Sequence, residues 1–138
     1  MIKYMKCGNI STTSQPFQDI PCDIGKSANV LDLISTFFSA TRLQGDSLFD
    51  CHHCYELTVA SKVSRIEELP PVLCLVLKRF RRRQKVSKPI VFCGVLDLTR
   101  FCLPVRPAKV EYKLHAVINH HGEGVYAGHY TTMALVQI

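Results

Sequence analysis

The sequence predicts an α+β fold built mainly of antiparallel β-sheet, with one amphipathic helix near its start. Three observations carry that expectation. Helical spacing is found in one stretch, where Val30, Leu31, Ile34, Phe37 and Phe38 line one apolar face over about three turns. Much of the remainder is short apolar or β-branched runs punctuated by Gly, Pro and charge, the pattern of strands and turns. The final stretch reads as a hairpin: Tyr112, Leu114, Ala116 and Ile118 alternate with more polar neighbours, and Tyr130 to Val136 supplies a partner strand. Between the two lie Gly122, Gly124 and Gly128.

Taken in order, Cys7-Gly8-Asn9 puts a cysteine against a turn signal. Phe17, Ile20, Cys22 and Ile24 form a strand with a proline near its middle, which places it at a sheet edge. Ser27 is the expected cap of the helix, and Gly45-Asp46 closes that region as a loop. Leu57 to Ile66 is strand-like and ends at Glu67-Glu68-Leu69-Pro70-Pro71. Val72 to Leu77 is continuously apolar, as a strand buried on both faces would be, and Cys74 within it reads as an inert core residue. Lys78 to Lys85 holds six basic residues in eight, read as a solvated hairpin tip. Val86, Ile90 and Phe92 lead to the extended run Val95 to Leu98, and Pro104 and Pro107 mark a loop before the terminal hairpin.

A chain of 138 residues suits one domain with a real core. The longest apolar runs are far too short to span a bilayer, and Met1 to Ile10 lacks the pattern of a secretory signal. Seven cysteines in that setting point to a reducing compartment, hence an intracellular protein, cytoplasmic or nuclear, whose thiols are free or bind metal. A formal charge of +6 would suit an acidic partner.

Two clusters carry chemistry. Cys51-His52-His53-Cys54 has the spacing of half a tetrahedral zinc site. Upstream there is a single thiol, Cys7, with Tyr4 where a second cysteine would stand. The candidate set is therefore Cys7, Cys51 and Cys54, with His52 or His53 as a possible fourth ligand. A structural zinc and a knuckle that keeps its turn without metal both remain open. His129 is the second candidate, because a histidine where a glycine-rich loop re-enters a sheet is backed by a rigid strand and open to a cleft. A satisfied histidine at a hairpin end is the alternative.

As an ordered series, these pieces resemble the ubiquitin-specific proteases, cysteine deubiquitinases of the papain-like kind (peptidase C19). Cys7-Gly-Asn-Ile-Ser with Pro16-Phe17 is similar to the start of the family's fingers, Cys51-His-His-Cys54 to its second knuckle, and Ala60-Ser61-Lys62 to the strand after it. Leu69-Pro70-Pro71-Val72-Leu73 running into Leu77-Lys78-Arg79-Phe80 resembles the central palm strand. Tyr112-x-Leu114-x-Ala116-Val117-Ile118-x-His120 followed by Gly128-His129-Tyr130 resembles the histidine box. The resemblance implies a partial papain-like cysteine protease fold, with fingers over about 1–66 and palm over about 67–138.

It also implies hydrolysis of the peptide or isopeptide bond after the ubiquitin C-terminus, with His129 as general base. Gly122, Gly124, Gly128 and Tyr130 would then line the channel for the ubiquitin tail. Ubiquitin and ubiquitinated proteins are the implied partners, with no membrane and no nucleic acid among them, and catalysis needs no cofactor. The family's nucleophile sits in an Asn/Gly/Cys box upstream of the fingers, and its third triad residue is an Asp or Asn beyond the Gly-His-Tyr. The 138 residues contain no such box, and Tyr130 to Ile138 contains neither Asp nor Asn. The expectation is the C-terminal half of a catalytic domain, as a fragment of a longer enzyme or from a truncated gene, and inactive alone. Two alternatives are an inactive pseudo-protease that binds ubiquitin or a partner, and a basic zinc-ribbon nucleic-acid binder using Cys51, Cys54 and Arg79 to Lys85. The last ranks lowest, since Phe80 is the single aromatic residue in that basic run.

Overall fold

The computed structural model describes residues 1–82, 84–103 and 108–135. In chain order the strands are β1 (Ile2–Tyr4), β2 (Ile10–Ser11) and β3 (Asp19–Asp23), then helix α1 (Val30–Phe37). They continue as β4 (Thr41–Leu43), β5 (Phe49–Cys51), β6 (Glu56–Thr58), β7 (Ala60–Lys62) and β8 (Cys74–Lys78). After these come β9 (Phe80–Arg81), β10 (Gln84–Lys85), β11 (Val95–Asp97), β12 (Glu111–Lys113), β13 (Ala116–His121) and β14 (His129–Ala134). The architecture is α+β and mostly antiparallel, with one helix, as the sequence predicts. The exception is β3, which pairs with β8 in parallel. Pro21 sits mid-strand in β3, and β8 is its single partner among the described residues, so β3 keeps an open edge, the setting in which a strand tolerates proline.

Two cores result, and they interleave in sequence. The smaller centres on Tyr4, Cys51 and Ala60, against the four-stranded sheet β2-β1-β7-β4. The larger gathers Ile20, Cys22 and Ile24 beside β3, then Val30, Leu33, Ile34 and Phe38 of the helix region, and closes over Ile66, Ile90, Leu98 and Phe101. Residues 19–38 thus pack with the chain beyond residue 66. Phe38 stacks on Phe101 with ring centroids 4.8 Å apart. Burial pushes the Cys22 thiol up to about 11, which makes it an inert core group.

Several local expectations change. The helix has eight residues rather than three turns, and its cap is Asn29, whose side chain accepts from the Leu31 amide. Ser27 supports that cap by accepting from the Asn29 amide and donating to Asp32. At the other end the Arg65 guanidinium donates to the Phe38 carbonyl at 2.8 Å, partnering a terminal carbonyl the helix leaves open. Leu57 to Ile66 is two strands in different sheets, because Val59 separates β6 from β7.

Strand β8 is covered on one face only. Leu75 and Leu77 lean on the core, whereas Cys74 and Val76 are exposed, so Cys74 is not a core residue. A continuous apolar run fixes hydrophobicity but not how many neighbours cover it. The run from Tyr112 to Ile118 breaks at Leu114-His115, and the inward phase slips by one. Tyr112 and Leu114 face inward, then Val117 does, leaving Ile118 72% exposed. Its partner strand ends at Ala134, and Val136 lies outside the described residues, as do Pro104, Pro107 and Arg83.

Ile34 is fully buried where α1 meets β3. Ile34→Ala should cost about 2–5 kcal/mol of stability, from lost transfer energy plus the cavity left behind. Urea denaturation checks this, with a lower midpoint at unchanged m-value as the expected result.

Candidate active site and thiol cluster

Strands β13 and β14 pair in full register from Ala116↔Ala134 to His121↔His129. His129 therefore opens β14, directly after Gly128, and it is exposed. Cross-strand partners share a face. His129 lies on the face of Val117, Asn119, His121, Thr131 and Met133, where the His121 Nε2 and the Thr131 hydroxyl are 2.7 Å apart. Tyr130 lies on the opposite face with His120 and Ile118, and is itself exposed.

The loop between the strands is folded back on itself. Gly122 has φ +124°, a conformation side-chain-bearing residues avoid, and a Cβ there would lie 3.0 Å from the Ala127 carbonyl. At Gly128 the constraint is space. A Cβ would sit 2.0 Å from Nε2 of His120 and 2.6 Å from the His121 carbonyl. Gly124, by contrast, has open space around it.

The His120 ring thus occupies the volume a side chain at 128 would need. It packs edge-on to Phe80 at 5.4 Å and tilts against Tyr130 at 4.9 Å. Its Nδ1 is buried without a hydrogen-bond partner among the described residues. Phe80 and Lys85 are cross-strand partners in the β9–β10 hairpin, and Lys85 Nζ donates to the carbonyls of His120 at 2.9 Å and Gly122 at 2.6 Å.

This accounts for much of the basic run. It is a hairpin tip, yet Arg79 donates to the carbonyls of Val86 and Lys88, Lys78 pairs with Asp23 at 3.2 Å, and Lys85 holds the glycine loop. Arg81 and Arg82 are left facing solvent. The joint role of Phe80, Lys85 and His120 is hidden in the sequence, where one reads as a stray aromatic, one as a solvated charge and one as the end of a motif. The signal available is that Phe80 and Lys85 flank a turn symmetrically.

The three candidate metal thiols are brought together. The sulfurs of Cys7, Cys51 and Cys54 all lie within 4.8 Å of one another, with Cys7 and Cys51 3.7 Å apart. Zinc with four thiolates at about 2.3 Å has sulfur–sulfur edges of about 3.8 Å, so the set fits one face of a zinc tetrahedron. Tyr4 is buried in the same small core, beside Cys51 and Cys54. His52 and His53 are exposed and outside the cluster.

The Cys7 thiol is hydrogen-bonded to its two sulfur neighbours. The Asn9 amide, then Cys54 and Cys51 as donors, hold Cys7 below the usual thiol range. Cys54 is pushed up to about 11, first by its hydrogen bond to Cys7 and then by desolvation.

A separate hollow of about 310 Å³, lined by Val95, Leu114, His115 and Leu135 among others, lies at the opposite end of the β13–β14 ladder from His129. Among the described residues no helix is long and apolar enough to cross a membrane.

The described residues thus combine a mostly antiparallel fold, a cluster of three thiols and an exposed histidine behind a glycine loop. Residues 1–137 match the family described as ubiquitin carboxyl-terminal hydrolase. The chain belongs to that family, and within it to the ubiquitin-specific proteases.

Among curated proteins it is 34% identical over 140 residues to ubiquitin carboxyl-terminal hydrolase 36 of Drosophila grimshawi, covering 99% of this chain and 11% of that protein. It is 32% identical over 136 residues to the Drosophila melanogaster protein of the same name, covering 96% and 13%. Among solved structures it resembles a chain of the SAGA DUB module of Ubp8, Sgf11, Sus1 and Sgf73 bound to monoubiquitin. That likeness has TM-score 0.82 and 28% identity, over 96% of this chain and 31% of that one. The same module bound to ubiquitin aldehyde gives TM-score 0.83 and 26% identity, over 98% and 32%. The chain therefore spans about a tenth of those curated relatives and a third of the solved chains.

The two glycines give a paired test. Gly128→Ala should unfold or displace the β13–β14 hairpin, and adding His120→Ala should rescue it only in part, because the His121 carbonyl still blocks the new Cβ. Gly124→Ala should be tolerated. Backbone NMR shifts of residues 116–134 distinguish the outcomes.

Proposed function

We propose that this chain is the base-bearing part of a ubiquitin-specific protease catalytic domain, working in thiol hydrolysis of the peptide or isopeptide bond after the ubiquitin C-terminus. The observation that carries it is an exposed His129 at the mouth of a glycine-gated hairpin, in a chain that matches the family over residues 1–137. In the parent reaction His129 takes the proton of an attacking thiol and later gives it to the leaving amine. A third residue would hold its tautomer. Neither the Asn/Gly/Cys box nor an Asp or Asn within Tyr130 to Ile138 is part of this sequence, so the 138 residues alone are catalytically silent. The glycine loop from Gly122 to Gly128, with Tyr130 beside it, forms one side of the tail channel, and ubiquitin is the partner. The seven free thiols favour a reducing, intracellular setting, cytoplasmic or nuclear.

A second reading is an inactive module that retains ubiquitin or partner binding. Exposed Ile118 and Tyr130, on the face opposite His129, favour it, since an apolar surface can grip a partner without chemistry.

We further propose a structural zinc held by Cys7, Cys51 and Cys54. It would tie the loop after β1 to the turn after β5 and leave chemistry to the hairpin. Because the ligand set is one short, zinc should bind weakly, and because binding must displace the Cys54 proton, affinity should rise with pH. Titration with a chromophoric chelator at two pH values checks both statements, and stoichiometric tight zinc would overturn the weak site.

For the catalytic reading, a ubiquitin probe with a C-terminal electrophile should form no adduct with this chain, and a fluorogenic ubiquitin substrate should stay intact. A chain extended to include a nucleophile box and an Asp or Asn should gain both activities. There, His129→Ala should lower turnover by roughly a hundred- to ten-thousandfold while ubiquitin binding persists. An adduct on the 138-residue chain would sink this account, with Cys22, Cys93 and Cys102 the thiols to examine. Ubiquitin affinity without turnover in the extended chain would favour the binding module.

A further inference from the structure

We propose that Lys85 is a positioning residue for His129, acting through the glycine loop. The catalytic meaning of this rests on His129 being the base; the conformational claim does not. A loop with glycines at 122, 124 and 128 is costly to order, because glycine loses more backbone freedom on folding than any other residue. Its order has to be supplied from outside. One cross-strand pair of the basic hairpin supplies it at two points. Phe80 meets the edge of the His120 ring at 5.4 Å, and Lys85, its partner across β9–β10, donates to the carbonyls of His120 and Gly122. Those carbonyls bracket His121, the residue in register with His129. The far end of the loop is set by the same histidine, since the His120 ring and the His121 carbonyl leave room for nothing beyond glycine at 128. Lys85 thus fixes where His121 and the loop begin, His120 fixes where Gly128 ends it, and His129 comes directly after.

An ammonium suits this role. It carries three donors on a flexible stem, so it can hold two carbonyls at once, and charge-assisted hydrogen bonds are stronger than neutral ones. Lys85 is half-buried, and among the described residues no carboxylate pairs with it.

The test uses the 138-residue chain with Lys85→Met, which keeps the apolar stem and loses the donors, and Lys85→Arg, which keeps charge and donors. Amide hydrogen exchange over residues 122–130 should rise about tenfold in Lys85→Met, the scale of losing one such bond. Exchange in the β3–β8 ladder should stay as in the parent, and the His129 ring resonances should broaden or shift. Lys85→Arg should return both readouts to the parent pattern. Unchanged loop exchange in Lys85→Met, an equal rise in the β3–β8 ladder, a static His129 signal, or no recovery in Lys85→Arg would each overturn the proposal. These readouts need no turnover, so an inert His129 in the ubiquitin assays would remove the catalytic reading and leave this result standing.

Discussion

At residue 128 there is no room for a side chain, and the arrangement around His129 depends on that. The His120 ring fills the space, with its Nε2 only 2.0 Å from where a Cβ would be. His120 and Tyr130 are partners across the ladder and share one face, and by alternation His129 lies on the other. A strand's two-residue period leaves no intermediate choice. The close approach therefore closes the loop, and the ladder's alternation decides which way His129 looks.

The hairpin that carries His129 depends on such contacts because little else holds it. Among the described residues β13 and β14 pair only with each other, and a lone two-stranded ribbon is marginal in water. Its attachments come from outside its own ladder. The Leu135 amide donates to the His115 carbonyl and the Leu114 amide to the Gly94 carbonyl at one end, while Phe80 and Lys85 hold the other. Just upstream, the Tyr112 hydroxyl donates to the Pro70 carbonyl at 2.6 Å. The hairpin is pinned at both ends and open along its middle, where Ile118 and Met133 face solvent.

Elements whose evidence is local are legible in the sequence. The helix appears through its spacing, the edge character of β3 through Pro21, the thiol cluster through Cys51-x-x-Cys54, and the base candidate through glycine chemistry around position 128. The features that stay hidden are non-local. The phase slip between Leu114 and Val117 depends on a break at His115 that no side chain announces. The exposure of Cys74 depends on how many strands flank β8. The helix cap is Asn29 rather than Ser27 because both residues can accept an amide and Ser27 instead holds Asn29 and Asp32. Lys85 is masked by its neighbours: in a run of six cations, composition cannot say which one meets a pair of carbonyls.

The thiols show why acidity alone does not make a nucleophile. Cys7 is held below the usual thiol range, yet the cause is the Asn9 amide and its two sulfur neighbours rather than an imidazole. It lies against Cys51 of the small core, and its sulfur neighbours are suited to sharing a cation. Cys22 and Cys102 are buried in the larger core, and Cys22 is held protonated there. A thiol hydrolase needs a thiolate, an imidazole positioned to make it, and a channel that delivers the carbonyl to both. This chain builds the imidazole's setting and a glycine-lined loop beside it, while the environments of these four thiols commit them to packing or to one another. The physical division is between a hairpin that leaves its imidazole exposed and a small core that gathers its thiols, and the interleaved cores let one chain hold both.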